Sequence, residues 1–386
     1  MERFRQSFRK ERCRTKRRPE NASYCAISYF GTLNLSHEGF FFFEKKLSWL
    51  FYGGITMHMS DALLSPAVAF TMCAVSGAAA AYSAAAMKKD DLSENKLPLT
   101  AIAGAFVFAA QMINFTIPGT GSSGHIVGGI LLAALAGGNA ALLAVIAVLL
   151  IQAFLFADGG LLALGCNIFN MGVIPCLIVY PLIFRPMLRK GITPQKLTAA
   201  SVISSVLALQ TGAFSVVIET TLSGIAELPF SAFITLMLPI HLAIGIVEGL
   251  ITGAVLTFVW KARPEALDCA AARPERGSMK TVIIVLAALA FFCGAILSSF
   301  ASEYPDGLEW SILKVTGSEE LSASGAIHDK SAELQERSAL MPDYSIGGGG
   351  TAAAGVIGTA VTFAVTAAIC ALICGRKKKT DLTGKA

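Results

Sequence analysis

Charge is what this chain has least of. Of its 386 residues, 15% are Asp, Glu, Lys or Arg, while 54% are hydrophobic, and the mean hydropathy is +0.63. A soluble globular domain is about 25% charged, so there is too little charge here to wet the surface of a water-soluble fold of this length. A disulfide framework is missing as well. The nine cysteines are odd in number and scattered, and most sit in apolar runs, where Cys acts as a small hydrophobe. No CxxC pair points to a zinc knuckle or redox couple. No GxxxxGK[ST] is present, so the chain does not itself hydrolyse ATP through a P-loop, and no HExxH suggests a metalloprotease.

What is there instead is a series of apolar runs, many of about 20 residues, the length that crosses a hydrocarbon core as a helix. They are rich in Ala, Gly, Leu and Val and lack strict alternation, which predicts helices rather than a membrane barrel. We read nine runs: 62–87, 98–117, 125–136, 139–156, 161–184, 197–222, 231–260, 280–300 and 352–375. The third is short and Gly-rich. The expected fold is all-α, a polytopic transmembrane bundle of about seven spans followed by two C-terminal transmembrane helices.

The loops carry the orientation signal. One set holds Lys88, Lys89 and Lys96, then Arg185, Arg189, Lys190 and Lys196, then Lys261, Arg263, Arg273, Arg276 and Lys280, and last Arg376 to Lys379 with Lys385. The alternate set has no basic residue before segment 301–350, where Lys314, Lys330 and Arg337 face nine acidic residues. Lys/Arg excess marks cytoplasmic loops, so the C-terminus is expected inside the cytoplasmic membrane and Met57 outside. Residues 57–262 then form the main membrane domain and 263–279 a cytoplasmic linker. Residues 280–386 form a two-helix region around an acidic outer segment, with Gly347–Gly350 as a flexible joint.

Residues 1–56 break this pattern. Residues 1–20 contain nine basic and three acidic residues, yet would lie outside. Residues 39–55 are interrupted by Glu44, Lys45 and Lys46, and no signal-peptide order follows. We therefore expect Met57 to be the first residue of the mature chain, with Gly53-Gly54 as the translation of a purine-rich ribosome-binding sequence.

A start at Met57 would place a free amine, a backbone amide and the His58 ring in sequence. Together these can close fused chelate rings around one ion. A further nitrogen would complete a square plane, the geometry that suits Ni(II) or Cu(II). The candidate is His125, in Pro118-Gly119-Thr120-Gly121-Ser122-Ser123-Gly124-His125, expected on the same side as Met57. On residues alone His58 also reads as an exposed tail residue, and His125 as an interfacial ring bonded to Ser or a carbonyl. Other intramembrane polar residues are Gln111, Asn114, Gln152, Asp158, Asn167, Asn170, Glu219, His241 and Glu248. Most read as hydrogen-bonding glue between helices. Glu248, in the apolar stretch Ile244–Thr252, needs a partner or water. His37 and His328 receive no role.

Here the residues resemble a known family. Met57-His58-Met59-Ser60-Asp61-Ala62-Leu63-Leu64 is similar to the MHIxDGxL start of the CbiM/NikM proteins, with Ala62 where that family usually has Gly. Phe106–Phe115, Ser123-Gly124-His125, Ala157-Asp158-Gly159-Gly160, Asn167–Gly172 and His241–Gly249 match further motifs in order. Residues 280–386 resemble the PDGLE-type, CbiN/NikN-like region through Pro305-Asp306-Gly307-Leu308-Glu309 and Met341-Pro342-Asp343-Tyr344-Ser345. The resemblance implies the substrate-binding component of an energy-coupling-factor importer for Co(II) or Ni(II), serving cobalamin synthesis or nickel enzymes. It implies metal ligation by Met57, His58 and His125, and partnership with a transmembrane coupling subunit and cytoplasmic ATPase subunits. No permanently bound cofactor and no nucleic-acid partner are expected, only membrane lipid around the bundle. Two other readings stay open: a membrane enzyme using Glu248, His241 and Asp158 as acid/base groups, and an assembly subunit that binds no metal.

Overall fold

Apolar sequence in lipid leaves the backbone no water to bond, so the chain satisfies its N–H and C=O groups within helices. The computed structural model describes residues 58–89, 96–268, 280–318, 321–345 and 351–374. The extension 1–56, Met57, most of the expected linker and the Gly347–Gly350 joint lie outside the described residues. The helices are α1 (Pro66–Lys89), α2 (Lys96–Gln111), α3 (Gly129–Ala136), α4 (Gly138–Leu155), α5 (the continuous stretch Leu164–Leu188), α6 (Pro194–Ser223), α7 (Phe230–Ala262), α8 (Lys280–Ala295), α9 (Gly307–Thr316), α10 (Ala326–Ser338) and α11 (Thr351–Cys374). A two-stranded antiparallel hairpin, β1 (Phe115–Ile117) and β2 (Ser122–Gly124), lies between α2 and α3.

The all-helical membrane bundle expected from composition is what forms. Among the described residues, seven helical stretches are long and apolar enough to cross a membrane. Two of the nine expected spans, 98–117 and 125–136, are not among them. The first ends as α2 at Gln111, and Asn114 lies beyond that helix, so Gln111 and Asn114 do not share a helical face. The second contains only α3, eight residues or about 12 Å of helix, and every residue of it is buried in protein. The chain between them leaves the helix to form the hairpin, whose turn places Gly119 and Gly121 at φ +80° and +75°. Those left-handed conformations are open to Gly and strained for other residues.

Three contacts fix the frame around that hairpin. The long helices α6 and α7 lie backbone to backbone. A Cβ added at Gly245, Gly249 or Gly253 would come within 2.9, 2.4 or 3.0 Å of the Cα of Val206, Val202 or Thr198. Small residues four apart permit this approach in a membrane. At the far end of α3, the linker begins packed rather than solvated. Asp268 N donates to Ala134 O (2.8 Å), and Tyr180 Oη donates to Asp268 Oδ2 (2.9 Å). Helices α8 and α11 pack on α2, and between them the 301–345 segment folds back over the hairpin instead of standing free as a solvated loop.

Candidate metal site

The site is assembled from the first described residues, the hairpin exit, the α4–α5 connection and the start of α9. His58 and His125 line one cavity of about 90 Å³ together with Asn167, Asn170, His241, Glu248 and Asp306. The two candidate rings are buried and their centroids are 5.6 Å apart. His58 Nδ1 lies 2.9 Å from Asp158 Oδ1. That contact aside, neither ring nitrogen of His58, both of them buried, has a hydrogen-bond partner among the described residues. Leaving such an atom unsatisfied costs roughly 1–3 kcal/mol, which makes it a place for a ligand. No group of three or more His, Cys, Asp or Glu residues able to hold a metal ion is found among the described residues. Side chains alone therefore do not complete a metal site here.

Each histidine is placed by a separate polar framework. Behind His58, Met59 N donates to Asn167 Oδ1 (3.2 Å), and Met59 O accepts from Asn167 Nδ2 (3.1 Å) and Gly160 N (3.0 Å). Asp61 Oδ1 accepts from Ala163 N at 3.0 Å. These contacts thread residues 58–61 into the bundle in place of strand pairing, of which they show none among the described residues. Behind His125, Glu248 on α7 accepts from Val127 N (2.7 Å) and Gly128 N (3.2 Å), the two residues before α3 begins. Gln111 Nε2 donates to Val127 O (2.9 Å), and Gln152 Nε2 donates to Gln111 Oε1 (2.9 Å). The partner that Glu248 requires inside an apolar helix is thus the His125 loop.

The C-terminal region closes one face of the site. Ser123 N and Oγ donate to Pro305 O (2.8 Å) and Tyr304 O (2.7 Å), and Trp310 Nε1 donates to Thr120 O (3.1 Å). Tyr344 Oη donates to Asp158 Oδ2 (2.6 Å) while its ring stacks on Phe156, centroids 4.5 Å apart. Burial, with Asp158 beside it, pushes the Tyr344 phenol well up, so it stays a donor. Gln335 Nε2 donates to Gly159 O (2.7 Å), Ser331 Oγ to Asp61 Oδ2 (2.6 Å), and His328 Nε2 lies 3.0 Å from Leu64 O. Asp306 Oδ2 is 4.0 Å from His125 Nε2. Burial pushes the Asp306 carboxyl up to about 7, against the lowering effect of the Glu309 and Leu308 backbone N–H groups and of His58.

The structure thus brings His58 and His125 together, and adds Asp158, Asp306 and Tyr344, to which residue reading alone gave no metal-site role. A signal for Asp306 was present: Asp-x-x-Glu is a capping-box pattern that fixes a helix start. As an acid/base set, Glu248, His241 and Asp158 are poorly placed. Glu248 is committed to two backbone amides, Asp158 to His58 and Tyr344, and His241 Nδ1 to Met237 O at 2.8 Å.

Known proteins show the same division of the chain. Residues 58–266 match CbiM, described as a cobalt uptake substrate-specific transmembrane region, and residues 280–375 match the PDGLE domain. A putative fused nickel transport protein NikMN of Archaeoglobus fulgidus is 31% identical over 316 residues, 80% of this chain and 96% of that protein. The probable fused nickel transport protein LarMN of Lactiplantibacillus plantarum is 33% identical over 244 residues, 61% of this chain and 73% of that one. A crystal structure of a truncated transition metal transporter aligns at 32% identity with a TM-score of 0.47, covering 53% of this chain and 99% of its own.

Proposed function

This chain belongs to the CbiM family, joined to a PDGLE domain, and on that footing we propose that it is the substrate-capture component of a Co(II) or Ni(II) importer. The ion is held by the Met57 amine, the amide nitrogen and ring of His58, and the His125 ring, in a mature chain that begins at Met57. The observation that carries this reading is the pair of buried imidazoles in one cavity, 5.6 Å apart, with the His58 ring nitrogens unsatisfied among the described residues apart from the Asp158 contact of Nδ1. Neutral imidazoles suit both metals, and a planar set of nitrogens suits Ni(II) particularly.

The same reading sets which His58 nitrogen meets the ion. Only Nδ1 of a histidine ring can close a chelate with that residue's own amide nitrogen. This atom lies 2.9 Å from Asp158 Oδ1. Capture therefore transfers Nδ1 from Asp158 to the ion, and Tyr344 Oη remains to hold the carboxylate. Amide and imidazole nitrogens bind metal without their protons, so affinity rises with pH as protons are released.

Release inward is the work of partners: a transmembrane coupling subunit and cytoplasmic ATPase subunits of an energy-coupling-factor complex, in the cytoplasmic membrane. The basic loops support a C-terminus inside and the site outside. Equilibrium binding of Ni(II) and Co(II) to the purified chain, with intact mass read on the same sample, tests the capture reading. Tight binding by a species starting at Met57 is expected. A mature mass that includes residues 1–56 would remove the amine ligand, and no binding of either metal would leave an assembly subunit. For orientation, a cysteine at Ser324 should react with an impermeant thiol reagent in whole cells, and labelling only after lysis would invert the topology.

A further inference from the structure

Asp306 is buried beside the candidate ligands, and metal capture by nitrogen ligands gives it no task. One of its oxygens is fully explained. Oδ1 accepts from Leu308 N and Glu309 N, both at 2.8 Å, while Glu309 Oε2 accepts from Asp306 N at 3.2 Å. That is a complete capping box at the start of α9. Oδ2 takes no part in the cap. It faces the cavity of His58 and His125 and lies 4.0 Å from His125 Nε2.

A cap alone does not account for an aspartate here. Asn and Ser cap helices about as well as Asp, and neither brings a formal charge into a buried position, which is costly unless a counter-charge is present. Asp306 is 6% exposed, and its ion-pair contact is with an imidazole at the edge of range, 4.0 Å away. The counter-charge that fits is a dication in the cavity.

We propose that Asp306 is an affinity-determining residue of the metal site, a carboxylate that the C-terminal region presents to the captured ion alongside the nitrogen ligands. The proposal rests on the capture reading above. Its position is fixed from both sides. Upstream, the bonds from Ser123 to Tyr304 and Pro305 tie its approach to β2, two residues before His125. Downstream, Gly307 lets α9 begin against α7. A Cβ there would come within 3.0 Å of Ile244 Cδ1 and 3.1 Å of His241 Cε1. The His125 imidazole and the Asp306 carboxylate are therefore held by one hydrogen-bonded unit, and the C-terminal region is part of the site rather than only a cover over it.

The test uses the full chain in detergent or nanodiscs, with Ni(II) and Co(II) salts as the probes. Asp306→Asn keeps the capping oxygen and the volume and removes the charge. Asp306→Ser keeps a capping oxygen and removes the second one. Both should weaken metal binding about 10- to 100-fold, the usual effect of losing a supporting group at a metal site, while the melting temperature of the metal-free protein stays at the wild-type value. Asp306→Glu keeps the charge on a poorer cap, and should retain more affinity than Asp306→Asn. Wild-type affinity in the Asn or Ser variant, or a Glu variant weaker than the Asn variant, assigns Asp306 to capping alone and overturns the proposal. Failure of the wild-type chain to bind either metal overturns the capture reading itself, before any Asp306 variant is compared.

Discussion

The two sides of the site are built with different chemistry. On the membrane side, polar groups form a closed relay in a dry interior: Gln152 to Gln111, Gln111 to Val127, and Val127 and Gly128 to Glu248. On the other side, the 301–345 segment uses the devices of a water-soluble protein. It has a capping box at Asp306, an exposed i,i+4 pair between Arg337 and Glu333, and amphipathic helices. An unmet donor in the first setting has no water to turn to, so each link matters. In the second, the exposed ion pair is weak, and the segment is held by many separate links. The His125 side should therefore fail abruptly when one group is removed, and the C-terminal side gradually.

The largest effect that would break this contrast concerns His125 itself. His125→Ala should lower Ni(II) and Co(II) affinity by about 100-fold or more, since each factor of ten is about 1.4 kcal/mol and a metal–nitrogen bond is lost. The protein should remain folded and inserted, and titration of the purified chain reads the loss. Next comes Glu248→Leu. It orphans the Val127 and Gly128 N–H groups at roughly 1–3 kcal/mol each, which should appear both as a lower unfolding midpoint and as weaker metal binding through a displaced His125 loop. A Glu248→Leu protein as stable as wild type would show that the interior relay is dispensable. Tyr344→Phe should be smaller still. It retains the stack on Phe156 and removes one hydrogen bond to a carboxylate, about 1.5–3 kcal/mol. Faster proteolysis within 301–345, with the membrane helices still protected, is the expected outcome.

How far this contrast could be read from sequence differs between its halves. His125 and Glu248 stand out because a histidine or carboxylate at membrane depth is rare and needs a reason, and Met57-His58 because an amine, an amide and a ring would follow one another at a chain start. The helical bundle follows from run length and composition. Residues 98–136 show where that reasoning stops. α3 is as apolar as a lipid-facing span, yet it is wrapped wholly by protein, and hydropathy reports only the dislike of water, not which apolar neighbour replaces it. The hairpin that shortens both runs was visible only as a cluster of Gly and Ser. The outer segment was less legible, because its charge gave a side of the membrane but no partners. Tyr344 reaches Asp158 across 186 positions of sequence, and local pattern carries no signal for a contact that distant.

The central claim is that the ion is captured by main-chain nitrogens of Met57-His58 in concert with two imidazoles. Acetylation of the Met57 amine keeps the His58 and His125 rings in the chain and removes one nitrogen of the proposed chelate. Ni(II) affinity measured for the acetylated chain beside the unmodified one should fall by about 100-fold or more, beyond the range of a supporting-group effect. An affinity equal to that of the unmodified chain would contradict the amine–amide–imidazole chelate, whatever the His125 variant shows.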